Sequence, residues 1–298
     1  MRRVPHYKSL DRGPLSFSSR IRKEEGEALR IARRQFTTIT PTTPIKRASE
    51  IMVSKKERRL PVAEPGSMKL YGVLRSRDIV DFLGGGEKHR IIQARFGGNF
   101  LSAVNEPVRM ILSERFPFAG PEMSLQEVVR LLLSEGVGGV PVVDDGKILG
   151  MIAERDLISH ITPSTGKKVS YHMSRHVVTV APSDTVLDAS KRMVRMGFRR
   201  LPVVMDKKLL GIVTTMDVLG YLGSSRVFER MQSRGMEEAM EAPVEDIMKR
   251  DVVVVGPDTD VGEAAALMRE RGLGGIPVLS GGELQGIITE HDLLRLLI

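Results

Sequence analysis

Four copies of one short pattern constrain this chain more than any local propensity does, because an internal period dictates which units must pack on one another. An apolar-Pro-Val triplet recurs as Leu60-Pro61-Val62, Val140-Pro141-Val142, Leu201-Pro202-Val203 and Ile276-Pro277-Val278. Another proline stands twenty residues before each triplet proline: Pro41, Pro121, Pro182 and Pro257. After each triplet comes a glycine and, six residues on, an aspartate: Gly72 and Asp78, Gly150 and Asp156, Gly211 and Asp217, Gly286 and Asp292.

Between the paired prolines the apolar residues follow a helical period, as in Leu125, Val128, Val129, Leu132 and Leu133. Ser124, Thr185 and Asp260 stand where an N-cap belongs, and Gly136, Gly197 and Gly272 where a left-handed C-terminal residue belongs; the first copy departs, with Pro44 and Lys56. Met193, Met196 and Met268 fall at core-facing spacing and are expected to pack. Each triplet opens an apolar strand, and Asp144-Asp145-Gly146-Lys147 and Ser280-Gly281-Gly282-Glu283 read as hairpin turns into the next strand. A second helix follows, so each unit reads strand, helix, strand, strand, helix, and the fold class is α+β.

A longer period groups these units. Pro41 to Pro182 and Pro61 to Pro202 are 141 apart, while Pro121 to Pro257, Pro141 to Pro277 and Asp156 to Asp292 are 136 apart. Repeats 1 and 2 are therefore expected to form one module, residues 37–158, and repeats 3 and 4 a similar one, residues 173–298, with residues 159–171 as linker. A unit of ~60 residues is marginal alone, which favours burial of its sheet against a partner.

The chain has no cysteine, which excludes disulfides, thiolate metal sites and cysteine nucleophiles and suits a reducing compartment; the cytoplasm is the expected location. No apolar run approaches the ~18 residues of a membrane span. The formal net charge of +8 is concentrated in residues 1–36, which hold +6 and leave the body nearly balanced. That basic extension reads either as a solvated helix or disordered arm, or as a docking or nucleic-acid segment.

The repeated pattern resembles the CBS domain family over residues 37–298, and four copies make the chain similar to archaeal homologues of the γ subunit of AMP-activated protein kinase. The resemblance implies paired repeats (Bateman modules) with clefts for adenosyl ligands, lined by a Gly-apolar-x-Thr/Ser-x-x-Asp signature whose aspartate holds ribose hydroxyls and whose hydroxyl residue contacts phosphate. It implies a regulatory protein that binds AMP, ADP or ATP, has no catalytic cofactor, and acts on an unidentified protein partner, with a homodimer among the possible assemblies. The alternative is a nucleotide-responsive regulator holding nucleic acid through the basic tail.

Repeats 3 and 4 carry the complete signature, with Thr214 and Asp217, and Thr289 and Asp292. Repeat 2 keeps Asp156 but has Ala153 for the hydroxyl, and repeat 1 keeps Asp78 but has Arg75, which is itself able to pair with a phosphate. The second module is thus the expected site. Before the triplets the odd copies carry Arg58-Arg59 and Arg199-Arg200, the even ones Gly138-Gly139 and Gly274-Gly275. Arg199 and Arg200 are candidate phosphate clamps, since guanidinium forks match phosphate oxygens, and the glycines leave room for a ring to approach the backbone. Leu201, Pro202, Ile276 and Pro277 complete the expected cleft.

Physical chemistry supports the same residues. A hydroxyl at a helix start, with free amides and the positive end of the dipole, suits an anion, and an aspartate one turn on accepts from a vicinal diol. Yet threonine and aspartate at this spacing also make a capping box, which needs no ligand. Both readings stand at the level of sequence. His172 and His176, four apart, lack a third ligand nearby and read as a solvated pair rather than a metal site. The glycine runs fit no phosphate loop, and no nucleophile elbow, His-Glu-x-x-His or kinase set is present, so no enzyme activity is expected.

Overall fold

The computed structural model describes residues 26–84, 86–113, 115–224, 226–227 and 235–298. In each repeat an eleven-residue helix precedes a hairpin: Ile45–Lys55, Leu125–Glu135, Val186–Met196 and Val261–Arg271. Ser124 and Thr185 close capping boxes with Glu127 and Asp188, and Asp260 accepts from the Gly262 amide, so three helix starts are satisfied by their own side chains. The helices end on left-handed Gly136, Gly197 and Gly272, and in repeat 1 on left-handed Lys56. Met193 and Met268 are fully buried, whereas Met196, expected in the core, is half exposed at the last turn.

The hairpins are Arg59–Ala63 with Leu70–Arg75, Gly139–Asp144 with Lys147–Ala153, Arg200–Met205 with Lys208–Thr214, and Gly275–Ser280 with Glu283–Thr289. The expected first strand shrinks to a single parallel bridge in every repeat: Ile39 to Val62, Ala119 to Val142, Val180 to Val203 and Val255 to Val278. The triplet proline explains the arrangement. It lacks an N–H, but its carbonyl accepts from Ile39, Ala119, Val180 and Val255 in turn, at 2.9–3.2 Å.

A short turn leads into each repeat and crosses onto its partner. These turns are the helix Glu27–Ile31 and the 3₁₀ turns Val108–Met110, Val169–Tyr171 and Val244–Asp246. Their first buried residues, Ala28, Val108, Val169 and Val244, donate to Met123, Thr43, Thr259 and Asp184 respectively. Repeats 1 and 2 thus exchange leads, as do repeats 3 and 4. Residues 26–36, grouped in the sequence with a basic arm, are a packed part of repeat 2, with Ala28, Leu29 and Ala32 buried; the rest of that arm, residues 1–25, lies outside the described residues.

Past the turn, three of the four leads run across the partner's second strand: Arg33 bridges Met151, Ser174 bridges Ile287, and Lys249 bridges Ile212. This crossing accounts for the repeated glycine. A Cβ on Gly286 would lie 2.6 Å from Met173 Sδ and 2.9 Å from the Ser174 carbonyl, and one on Gly211 would lie 2.8 Å from the Lys249 carbonyl.

Strands join within modules and helices join across them. The hairpins of repeats 3 and 4 meet at Lys208 and Glu283 to give a four-stranded sheet, and those of repeats 1 and 2 touch at the Lys69–Lys147 bridge. One core unites the helices of repeats 1 and 3 through Ile45, Met52, Ile79, Phe82, Val218 and Leu219. A second unites repeats 2 and 4 through Val129, Leu132, Leu157, Ala265, Met268 and Leu293. No helix among the described residues is long and apolar enough to cross a membrane.

Gly286→Ala is expected to destabilise the protein by about 1–3 kcal/mol, because the new methyl meets backbone that cannot yield. Gly220→Ala, inside the helix Thr215–Leu222 with no atom within 4 Å of the added carbon, is expected to stabilise by about 0.5–1 kcal/mol. Urea denaturation of both variants measures the contrast.

Candidate functional site

At the start of the second helix in every repeat, one carboxylate oxygen is committed to the backbone. Oδ2 of Asp78, Asp156, Asp217 and Asp292 accepts from the amides of Arg75, Ala153, Thr214 and Thr289 at 2.8–2.9 Å. In repeats 3 and 4 the threonine hydroxyl donates to the same oxygen at 2.6 Å. The capping box is therefore real, and it uses the hydroxyl proton that the sequence assigned to phosphate. It leaves Oδ1 of each aspartate for something else.

The four Oδ1 atoms have different fates. Asp78 receives Arg75 at 2.7 Å and Lys88 at 3.1 Å. Burial works to raise the Asp78 carboxyl, but the Arg75 hydrogen bond and charge, then Lys88, hold it below the ordinary carboxylate range. Arg75, considered from sequence as a phosphate partner, is thus spent on its own repeat. Asp156 receives Arg33 at 3.2 Å, and Asp217 receives Lys249 at 2.5 Å. Among the described residues, Oδ1 of Asp292 receives no hydrogen bond.

Two cavities flank these groups. One, of about 570 Å³, is lined by Thr289, Asp292, Ser174, Pro202 and Arg200 and extends into the first module as far as Arg59. The other, of about 1020 Å³, is lined by Thr214, Asp217, Lys249, Pro277 and Arg200. Both are large enough for a small-molecule ligand, typically ~300–1,000 Å³. Strand alternation divides the expected triplet residues: Pro202 and Pro277 face the cavities, whereas Leu201 and Ile276 are 0% exposed and belong to the cores. The side chains of Leu201 and Ile276 are therefore not cleft residues.

Between the modules lies an arginine cluster. Glu154 and Glu290, each 1% exposed, open the second helices of the even repeats. Glu154 accepts from Arg199 at 2.9 Å and contacts His291 Nδ1 at 2.9 Å. Glu290 meets Arg58 at 3.5 Å and Arg155 at 3.7 Å, a looser copy of the same arrangement. Every one of these contacts joins one module to the other, as does the buried hydrogen bond between Ser76 and Thr215 at 2.9 Å. Burial works to raise the Glu154 carboxyl, but Arg199, His291 and Arg59 outweigh it and hold the group far below its usual range.

Arg59 and Arg200 fare differently. Neither has an ion pair among the described residues, and burial, followed by repulsion from Arg199, pushes each guanidinium down to about 9. At neutral pH both remain charged, two partly desolvated cations without a counter-ion among the described residues. The even-repeat glycines make room for this cluster. A side chain at Gly138 would collide with Arg59, Arg199 and Glu154, and one at Gly274 with Arg200, Arg58 and Glu290.

Glu154, Glu290, Arg33, Ser174 and Lys249 escaped the sequence reading. The first two were visible in the signature itself, where one position alternates as Ser76, Glu154, Thr215 and Glu290. The other three share one place in the period but lie outside the signature. The readings of the basic tail as a nucleic-acid segment fall mostly on residues 1–25, outside the described residues.

The CBS domain family matches residues 28–85, 108–163, 167–224 and 244–298, each match beginning at or near a lead turn. An uncharacterized protein of Methanocaldococcus jannaschii, MJ1225, is 36% identical over 266 residues, spanning 88% of this chain and 95% of that protein. Its crystal structure, reported as a proposed archaeal homologue of γ-AMPK, matches with a TM-score of 0.86 over 91% of this chain and 100% of that one. A 33.4 kDa protein in the ribosomal RNA operon of Thermofilum pendens is 32% identical over 266 residues, 87% of this chain and 88% of that protein. A conserved protein of Pyrococcus horikoshii is similar in structure, with 25% identity and a TM-score of 0.59 over 91% of this chain and 100% of that one.

Glu154→Gln is expected to cost about 3–5 kcal/mol at pH 7, since it leaves Arg199 buried without its partner. A carboxylate held below its unfolded value stabilises fully above that value, here 4.5, and loses the contribution as pH falls further. The gap between wild type and Glu154→Gln is therefore expected to narrow below pH 4.5, as measured by urea denaturation at pH 7 and pH 3.5.

Proposed function

Because this chain belongs to the CBS domain family, we propose that it is a non-catalytic regulatory protein that senses adenine nucleotides through the cavity beside Asp292. One observation carries the reading: a carboxylate oxygen without a donor and two guanidinium groups without an anion, among the described residues, line the same cavity of about 570 Å³. A ligand that satisfies both ends needs neighbouring hydroxyls to donate to Asp292 and phosphate oxygens to accept from Arg59 and Arg200. A ribose phosphate has that layout. Adenine as the base is taken from the family resemblance.

Regulation follows from the cavity's walls. Arg58, Arg59 and Ser76 come from the first module, and Arg200, Thr289 and Asp292 from the second. A ligand whose phosphates lie between them favours one relative placement of the modules over others, by as much as its affinity differs between them. An unidentified protein partner that reads that placement would be the regulated target.

Isothermal titration and thermal shift with adenosine, AMP, ADP, ATP and S-adenosylmethionine test the proposal. Affinity is expected to rise from adenosine to AMP to ATP as phosphates reach the arginines, with about 2.7 kcal/mol of stabilisation at 100-fold saturation over Kd. Asp292→Ala is expected to weaken ATP binding at least tenfold, while costing only about 0.5–2 kcal/mol of stability as a lost cap. No binding across the panel would contradict the proposal.

A further inference from the structure

We infer that only one of the four nucleoside clefts is open, the one built on Asp292, and that Lys249 closes its counterpart built on Asp217; this rests on the nucleotide reading above. Repeats 2, 3 and 4 form an internal comparison in which the backbone is held constant. Ser174 exchanges two 2.9 Å hydrogen bonds with Ile287, and Lys249 exchanges two 2.9 Å hydrogen bonds with Ile212. Arg33 stands in the same relation to Met151, at 2.9 and 3.1 Å. These three residues occupy one structural position, beside the signature aspartate of the partner repeat, and they differ in side chain.

That difference determines the state of each carboxylate. Arg33 reaches Asp156, and Lys249 reaches Asp217. Serine at position 174 is too short and carries no charge, so Asp292 keeps Oδ1 free. In repeat 1 the corresponding residue is Ser113, but there Arg75 turns onto Asp78 and also donates to Ser113 Oγ at 3.0 Å, closing the cleft from the other side. The cavity beside Asp217 is the larger of the two, yet a ribose entering it must first displace an ammonium from the oxygen it needs. In the Asp292 cavity none of the described residues has to be displaced from Oδ1. Repeats 1 and 2 lack the capping threonine as well, so their closure is fixed by two features, while repeats 3 and 4 share the threonine-aspartate pair and differ, at the position beside the aspartate, in Lys249 against Ser174.

The test exchanges the two residues. Lys249 has a side chain 62% exposed and Ser174 is exposed, so neither substitution disturbs a core. Titrating the full chain with ATP and with AMP is expected to give one site for wild type and two for Lys249→Ser, and Ser174→Lys is expected to weaken binding at least tenfold. Thermal melts of all three proteins check that each is folded. Two sites in wild type, or Ser174→Lys binding as wild type does, would overturn the assignment of the open cleft. One site in Lys249→Ser would overturn the role of Lys249. If neither nucleotide binds wild type or Lys249→Ser while both melt cooperatively, the nucleotide reading itself falls, and this inference with it.

Discussion

Five arginines facing two buried glutamates hold the centre of this molecule, and the arrangement of the repeats depends on how that imbalance is resolved. Arg199 with Glu154 and Arg58 with Glu290 form the pairs that bind one module to the other. Among the described residues, Arg59 and Arg200 are left over. Like charges gathered away from bulk water destabilise a fold unless an anion joins them, so the interface between modules is built short of negative charge. The two arms are also unequal. Glu154 is gripped at 2.9 Å from both sides, whereas Glu290 stands 3.5 and 3.7 Å from its arginines and its Oε1 accepts no hydrogen bond among the described residues. The looser arm belongs to repeat 4, which also carries the open carboxylate.

The two kinds of packing give that centre its leverage. Within a module, exchanged lead turns and sheet contacts tie the repeats together through backbone hydrogen bonds whose geometry is narrow. Across modules, contact is made by helices through aliphatic side chains and by the arginine cluster. Apolar packing is not directional, so helices slide more readily than strands change register. A change of charge at the centre therefore acts on the softer of the two interfaces.

Much of this was legible in the sequence because it is local or periodic. The caps at Ser124, Thr185 and Asp260, the left-handed glycines and the Asp145-Gly146 and Gly281-Gly282 turns follow from rules spanning three or four residues, and the fourfold register located the signature aspartates. What was not legible is what one segment does to another far away. The lead turns look like linker until their amides are seen to reach the partner's carbonyls. Lys249 looks like one more surface lysine until the crossing strand sets it over Asp217. Gly138 and Gly274 suggest room for a ligand, and each is crowded by two arginines, one from its own module and one from across the interface. Leu201 and Ile276 differ from the expectation for a simpler reason: period-two alternation along the strand turns their side chains into the cores, away from the prolines beside them.

The uncompensated charge of Arg59 and Arg200 is the point on which the account turns, and it is measurable without knowing the ligand. Urea denaturation of wild type and of the Arg59→Met/Arg200→Met double variant, in chloride and in pyrophosphate at matched ionic strength, isolates it. Wild type is expected to gain stability in pyrophosphate, while the double variant is expected to exceed wild type in chloride by about 1 kcal/mol or more and to gain nothing from the anion. A double variant less stable than wild type in chloride, or one stabilised by pyrophosphate as much as wild type, would show that the two arginines are neither strained nor waiting for a phosphate.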